Sequence, residues 1–502
     1  MQSRRLDWVQ VHFKRRRDAS PMTPQHTNSP VSSLRDWLRH LGASSRLAVA
    51  RDGVRLEHEL AAIAKRLDGR QAVLFPRPDG HELSVVSGFM SRRAWIAEAL
   101  GVEEAQLLQR FREAVERPVP WAEVSGPAPC QEVRHEADLD LRRLLPIPTH
   151  SEHDNGPYIT AGLAIARNPA SGVQNVSIHR LQVHAPRRMA ALLLPRHLQA
   201  FHRSAEGRDQ ALPVAIAIGV DPVTMLASQA ILPIDHDELE VAGALHGKPL
   251  RVVKCLTSEV RVPADAEIII EGRLLPHTRE LEGPFGEFPR YYSERAYREV
   301  IEVDAVTHRR NPLFHTIVPA EMEHLLLGSI PREASLLSLL QRSHPRVTDV
   351  HLSVGGVGRY HLYVQFDKKR EGEAKNVILA AFGAHYDIKQ VVVVDTDVNV
   401  HDPAEVEWAV ATRFQADRDL VVVGGAQGSV LDPSTTVGMP PGDDPSALRH
   451  QGISAKMGLD ATRPVVYEAH VFTRVRIPGE DDFDPARDLR AFEASDAAHW
   501  IG

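Results

Sequence analysis

Residues 266–292 read AEIIIEGRLLPHTRELEGPFGEFPRYY. The first part, AEIIIEGRLLP, is a β-rich run of strand length, and downstream of it a Gly-Pro-Phe-Gly turn has Glu282 on one side and Glu287 on the other. Glu280 lies just upstream of the turn. Gly, Pro and carboxylates together suit a solvated surface turn. A second reading is open: a carboxyl held beside Phe285, Phe288, Tyr291 and Tyr292 has its pKa raised and can pass protons near neutral pH.

Similar strands surround this stretch from about residue 131 to 318: YITAGLAIARNP, NVSIHRLQVHAP, PVAIAIGV, LRVVKCLTSEVRVP and REVIEVDAVTHRR. Several alternate apolar with polar residues, as antiparallel strands with one wet face do. Only PRHLQAFHRSAEG and DELEVAGALHG break the pattern with helical spacing, so the middle of the chain predicts a β-barrel-like domain decorated by helices. Before it, LRDWLRHLG and LEHELAAIAKRLDG alternate with QAVLF and LSVVSGF, an α/β unit closed by the Pro- and Gly-bearing ERPVPWAEVSGPAPCQEV. After it, EHLLLGSIPREASLLSLLQRSHP has helical spacing, and strands such as QVVVVD then alternate with helices such as AEVEWAVATRF. The fold class is therefore mixed α/β and β, multidomain. A disordered extension is expected over 1–31, an N-terminal α/β domain over 32–125, and the split β-barrel-like domain over 126–318. A linker helix over 319–343 and a C-terminal α/β domain over 344–502 complete the chain.

The chain has 502 residues, 43% of them hydrophobic and 25% charged, so it can bury a sizeable core. The net charge of -7 is spread along it and points to no nucleic-acid partner. The one basic run, SRRLDWVQVHFKRRRD, precedes a Ser/Pro/Asn-rich stretch and reads as a simple extension, with a transit peptide as the alternative. Cys130 and Cys255 are the only cysteines, which excludes a disulfide framework and suits a reducing cytoplasm. No apolar run reaches membrane-span length.

Several polar residues could carry chemistry. Read as one strand, QNVSIHRLQVH puts Asn175, Ser177, His179 and Leu181 on one face and Arg180 on the other. Asn175, His197 and Glu238 offer an amide oxygen, an imidazole and a carboxylate, a donor set for a hard or borderline divalent cation. Their separations of 22 and 41 residues form no local motif, and each is equally explained as a structural polar group. HSEHDNGPYITAG is a polar loop whose His150 and His153 are either ligands or turn residues. The glycine-rich GGAQGSVLDPS matches neither G-x-G-x-x-G nor a phosphate loop, and neither G-x-S-x-G nor H-E-x-x-H occurs.

Five segments in order, NVSIHR, DELEVAGAL, EGPFGEF, DTDVNVHDPAEVEWAVATR and AKMGLDAT, resemble the UbiD family of reversible decarboxylases that use prenylated FMN, over roughly residues 33–465. The resemblance implies that Arg180, Glu282 and Glu287 are the catalytic network, with Glu287 the proton donor. It implies that Asn175, His197 and Glu238 hold a divalent metal, commonly Mn2+, that bridges to the cofactor phosphate with K+ nearby; these three and Arg180 would be the cofactor-binding residues. It assigns Lys456 no role, and makes DTDVNVHD structural or part of a subunit interface. The implied reaction is non-oxidative decarboxylation through a covalent adduct between substrate and prenylated FMN. EHLLLGSIPREA resembles the furan and pyrrole carboxylate branch, in which residues at the positions of His324 and Arg332 face the substrate. These are eight residues apart, close to two helical turns, although Pro331 argues against an unbroken helix. The leading substrate is 2,5-furandicarboxylate, giving 2-furoate. The alternatives are pyrrole-2-carboxylate, a hydroxybenzoate or a quinone-pathway precursor; outside this class stand an FMN/NADH oxidoreductase and a non-catalytic ligand-binding relative. A homodimer or higher homo-oligomer through the C-terminal domain and a flavin prenyltransferase (UbiX-like) as cofactor supplier are implied partners.

Overall fold

The computed structural model describes residues 29–435, 452–468, 470–493, 496 and 499–500; residues 1–28, most of the expected extension, lie outside the described residues. From Val31, whose N–H bonds to the Ala99 carbonyl, the chain is packed. Helix Leu34–Ala43 starts where the Ser33 hydroxyl accepts the Asp36 N–H, and its spacing of three and four buries Leu34, Trp37, Leu38 and Leu41. It accompanies a four-stranded sheet in the order Leu47–Val49, Ala72–Phe75, Ser84–Ser87, Leu313–His315. The last strand comes from the end of the central region, so the chain returns to the N-terminal sheet before the long helix begins.

The central layer is a nine-stranded sheet built on the antiparallel pair Ile268–Glu282 and Ala296–His308. Register shifts at Glu271/Gly272 and Leu274/Arg279 bend this pair, and a Cβ on Gly272 would lie 2.3 Å from the Glu302 carbonyl oxygen. The sheet curls into a half-barrel. QNVSIHRLQVH is not one strand: Gln174–Ile178 forms one edge, Leu181–Ala185 lies near the other, and His179 and Arg180 make the corner between them. Curling brings the two edges close enough for two residues to span them, so the alternation expected through Arg180 does not hold.

Helix Met322–Ser343 continues through Pro331 and buries Leu325, Leu326, Leu327, Ile330 and Ala334. Beyond it, a five-stranded sheet runs in the order Val347–Leu352, His361–Phe366, Gln390–Val394, Ile453–Ala461, Leu420–Gln427. The segment DTDVNVHD is tied within the chain: Arg413 pairs with Asp395 at 2.6 Å and with Asp397 at 2.8 Å. Among the described residues no helix is long and apolar enough to cross a membrane.

Candidate active site

A cavity of about 520 Å³ lies between the curled sheet, helices His197–Glu206 and Glu238–His246, and helix Met322–Ser343. That is the size of a small-molecule site. Arg180, Glu287, Asn175, His197, Glu238, His324 and Arg332 all line it, and Glu282 stands behind Arg180.

The turn after strand Ile268–Glu282 is held from several sides. The Gly283 N–H donates to Gln182 Oε1 at 3.0 Å, and the Asn155 N–H donates to the Pro284 carbonyl at 3.0 Å. The Gly286 N–H donates to Asp154 Oδ1 at 2.8 Å. The HSEHDNGPYITAG loop therefore serves as the cradle of the turn rather than as a source of ligands. His150 is buried, meets Thr316 Oγ1 at 2.7 Å and is pushed down to about 3 by burial; the His153 ring packs tilted against Tyr292 with centroids 5.1 Å apart. Neither lines the cavity.

From its corner, Arg180 donates Nε and Nη2 to the two oxygens of Glu282 at 2.9 and 2.8 Å, and Nη1 to Glu287 Oε1. Its guanidinium lies 5.3 Å over the Phe285 ring. Burial opposes the Arg180 charge, but the Glu287 and Glu282 carboxylates outweigh it and raise the pKa. The Tyr158 hydroxyl adds a bond to Glu282 Oε1 at 3.0 Å, so both Glu282 oxygens are engaged. Glu282 is fully buried, whereas the Glu287 side chain keeps 12% of its surface open. The apolar wall is narrower than the sequence suggests: Phe285 and Phe288 are buried, but Tyr291 and Tyr292 are exposed. Glu280 faces away and pairs with Arg188 at 3.0 Å.

Asn175 comes from strand Gln174–Ile178, while His197 and Glu238 each open a helix. Asp237 caps the second helix by accepting the Leu239 N–H at 2.8 Å, which points the Glu238 side chain back to the Val176 N–H at 2.7 Å. Burial, then the Asp237 charge, push Glu238 up to about 8, and burial followed by Arg196 lowers His197. A carboxylate this poorly solvated is stabilised by a cation, a neutral imidazole has a free lone pair to give, and Asn175 adds a hard oxygen. The residues fit a divalent metal. Among the described residues no cluster of three or more His, Cys, Asp or Glu side chains offers a competing site.

At the other end of the cavity, His324 Nδ1 accepts the Ala320 N–H at 3.1 Å, so the neutral ring carries its proton on Nε2. Burial, then Arg359, push His324 down to about 3. Arg332 is buried and bonds to the Gly328 carbonyl at 2.5 Å; burial, then Arg359, push it down to about 9. Arg359, 4.1 Å over the Phe288 ring, escaped the sequence reading because it lies in a glycine-rich connection with no spacing signal. Tyr158 and Asp154 were missed because their partners Glu282 and Gly286 lie more than 100 positions away, and Arg196 because it precedes its helix without a pattern of its own. Leu431, from the glycine-rich GGAQGSVLDPS, also reaches the cavity. Lys456 does not: it donates to the Tyr386 and Ile388 carbonyls at 2.8 and 2.6 Å within the C-terminal domain.

Three family models match the chain in succession. They are those of the 3-octaprenyl-4-hydroxybenzoate carboxy-lyase N-terminal domain at residues 38–115, Rift-related domain at 122–322 and C-terminal domain at 325–461. An anhydromevalonate phosphate decarboxylase of Methanothermobacter thermautotrophicus is 39% identical over 442 residues, covering 88% of this chain and 99% of that protein. Among solved structures, the UbiD-class enzyme HmfF from Pelotomaculum thermopropionicum in complex with FMN matches with a TM-score of 0.87 and 49% identity. That match covers 91% of this chain and 100% of the other. An evolved dimeric form of HmfF in complex with prFMN matches with a TM-score of 0.83, at 47% identity and with the same coverage. The fold, the three successive domains and the similarity over most of the chain show that this protein belongs to the UbiD family of carboxy-lyases.

Proposed function

We propose that this decarboxylase acts on a heteroaromatic acid, converting 2,5-furandicarboxylate to 2-furoate reversibly and without net oxidation, with prenylated FMN, Mn2+ and K+ as cofactors. The observation that carries this reading is Arg180 spanning Glu282 and Glu287 on a cavity that Asn175, His197 and Glu238 also line. When bound, prenylated FMN supplies the electron sink that loss of carbon dioxide from a ring carbon requires and that side chains lack. Asn175, His197 and Glu238 would hold the metal, and the metal the cofactor phosphate; K+ rests on the family resemblance.

Glu282, with both oxygens engaged, fixes Arg180 and is not free to shuttle protons. Glu287, partly open to the cavity, carries the proton to the carbon that has lost carbon dioxide and takes one away in the carboxylation direction. Phe285 and Phe288 keep water from that carbon. The His324 Nε2–H and the Arg332 guanidinium contact the substrate at the far end. A homodimer or higher homo-oligomer and a flavin prenyltransferase as supplier belong to the same proposal; an evolved form of HmfF is dimeric and is in complex with prFMN.

The anhydromevalonate phosphate decarboxylase relative favours a second reading, an unsaturated phosphorylated acid as substrate. The test is carbon dioxide release by protein co-produced with a flavin prenyltransferase, against FMN-only protein. The panel is 2,5-furandicarboxylate, pyrrole-2-carboxylate, a hydroxybenzoate and anhydromevalonate phosphate. Release from the furan diacid with the modified flavin alone is expected. Fully loaded protein that releases carbon dioxide only from another acid would replace the substrate, and NADH-dependent turnover without release would overturn the reaction.

A further inference from the structure

Three polar side chains that the proposed reaction leaves idle form one buried row ending at the cavity: His150, Thr316 and Thr160. His150 Nε2 meets Thr316 Oγ1 at 2.7 Å, and Thr316 Oγ1 meets Thr160 Oγ1 at 3.1 Å. Thr160 lines the cavity, whereas His150 and Thr316 do not. Polar groups are costly in a core unless their bonds are complete, so the row has to run in one direction. Its far end decides which. His150 Nδ1 is buried and, among the described residues, has no partner. Burial pushes the ring down to about 3, so it is neutral and carries a single ring proton. A buried N–H without an acceptor costs more than an unused lone pair, which puts that proton on Nε2.

Each further bond follows from that proton. His150 Nε2–H donates to Thr316 Oγ1, and the Thr316 hydroxyl donates to Thr160 Oγ1. Thr160 Oγ1 also accepts the Ile317 N–H at 3.0 Å, so both of its lone pairs are taken and only its own proton is left to give. The strand before it sets where the donor stands. Tyr158 pairs with Gln182 and Ile159 with Leu181, and the same register carried one step further sets Thr160 against Arg180. The free donor is thus at the Arg180 end of the cavity, the end of the Glu282–Glu287 turn.

We infer that Thr160 is a substrate-binding residue, a hydrogen-bond donor turned outward by His150 and Thr316, and that it holds an oxygen of the carboxylate that is lost. The inference rests on the decarboxylation proposed above and names a contact of that reaction. As the carbon–carbon bond breaks, its electron pair stays with the substrate, Glu287 supplies the proton and the carboxylate leaves as neutral carbon dioxide. Its hold on the donor weakens as its charge is lost, so the bond favours binding rather than the chemical step. A flavin carbonyl is an acceptor of the same kind, and the test separates the two.

The experiment measures kcat and KM, for whichever acid of the panel above cofactor-loaded wild type turns over, in Thr160→Val, Thr160→Ser and Thr316→Val, with flavin content measured on each. Thr160→Val keeps the shape and removes the donor: KM should rise about 10-fold, with kcat not lowered and flavin content as in wild type. Thr160→Ser, which keeps the hydroxyl, should recover most of the affinity. Thr316→Val takes one donor from Thr160 Oγ1 but offers its proton no new acceptor, so KM should move less than in Thr160→Val. An unchanged KM in Thr160→Val removes the contact, an equal rise in Thr160→Ser or Thr316→Val reduces it to packing, and loss of flavin assigns the donor to the cofactor; each overturns the inference. If loaded wild type turns over no acid, the proposed reaction is what fails. Neutron diffraction from deuterium-exchanged crystals then judges the donor by itself: a deuteron on His150 Nε2 with that of Thr160 facing the cavity sustains it, and one on His150 Nδ1 overturns it.

Discussion

The two ends of the cavity treat arginine in opposite ways. At the turn, Arg180 is enclosed by Glu282 and Glu287, and Glu282 is further bound by Tyr158. Across the cavity, Arg332 and Arg359 point into the same space with no ion-pair partner among the described residues. A charge compensated from within the fold holds its geometry before any ligand arrives, which suits proton transfer. A charge left uncompensated weakens the empty protein and is satisfied only by what binds, which suits selection. One cavity thus combines a preorganised end and a ligand-completed end.

The largest effect that would break this contrast is on turnover. Glu287→Gln keeps the shape of the turn but removes the acid, and decarboxylation should fall by at least about 10³-fold while the flavin stays bound. Carbon dioxide release and flavin absorbance measure the two, and near-normal turnover would remove Glu287 from the proton path. Next comes stability at the paired end. Arg180→Met leaves Glu282 buried without its cation and should cost about 3–5 kcal/mol in chemical denaturation. The unpaired end should respond with the opposite sign: Arg332→Met relieves a buried cation and should stabilise the cofactor-free protein by about 1–2 kcal/mol, while weakening binding of the furan diacid. A destabilised Arg332→Met would show that the guanidinium is compensated from within after all. The smallest effect is at Tyr158. Tyr158→Phe removes one donor of several and should cost about 1 kcal/mol, with a fall in kcat rather than a rise in KM.

Local patterns in the sequence were sufficient for the kinds of element. The spacing of DELEVAGAL gives a helix that opens on Glu238, PRHLQAFHRSAEG one that opens on His197, and EGPFGEF a turn between two acids. The five ordered segments led to the family, and the family resemblance to the eight residues that meet at the cavity. Local patterns failed at Arg180, read as one position in a continuous strand. Curvature of a nine-stranded sheet turns that position into a corner, and curvature is a sum over register shifts far away at Glu271/Gly272 and Leu274/Arg279.

By itself, then, the sequence determined the kinds of element along most of the chain and which acids and bases are available, because side-chain periodicity and turn chemistry act over a few residues. Only the tertiary structure decided that Asp154 cradles the turn, that Tyr158 binds Glu282 and that Arg359 rests between Phe288 and Gly328. It also decided which arginines are paired and which are not. These contacts join residues more than 30 positions apart or in separate domains, and their energies depend on burial and on neighbouring charge, which exist only once the layers have packed.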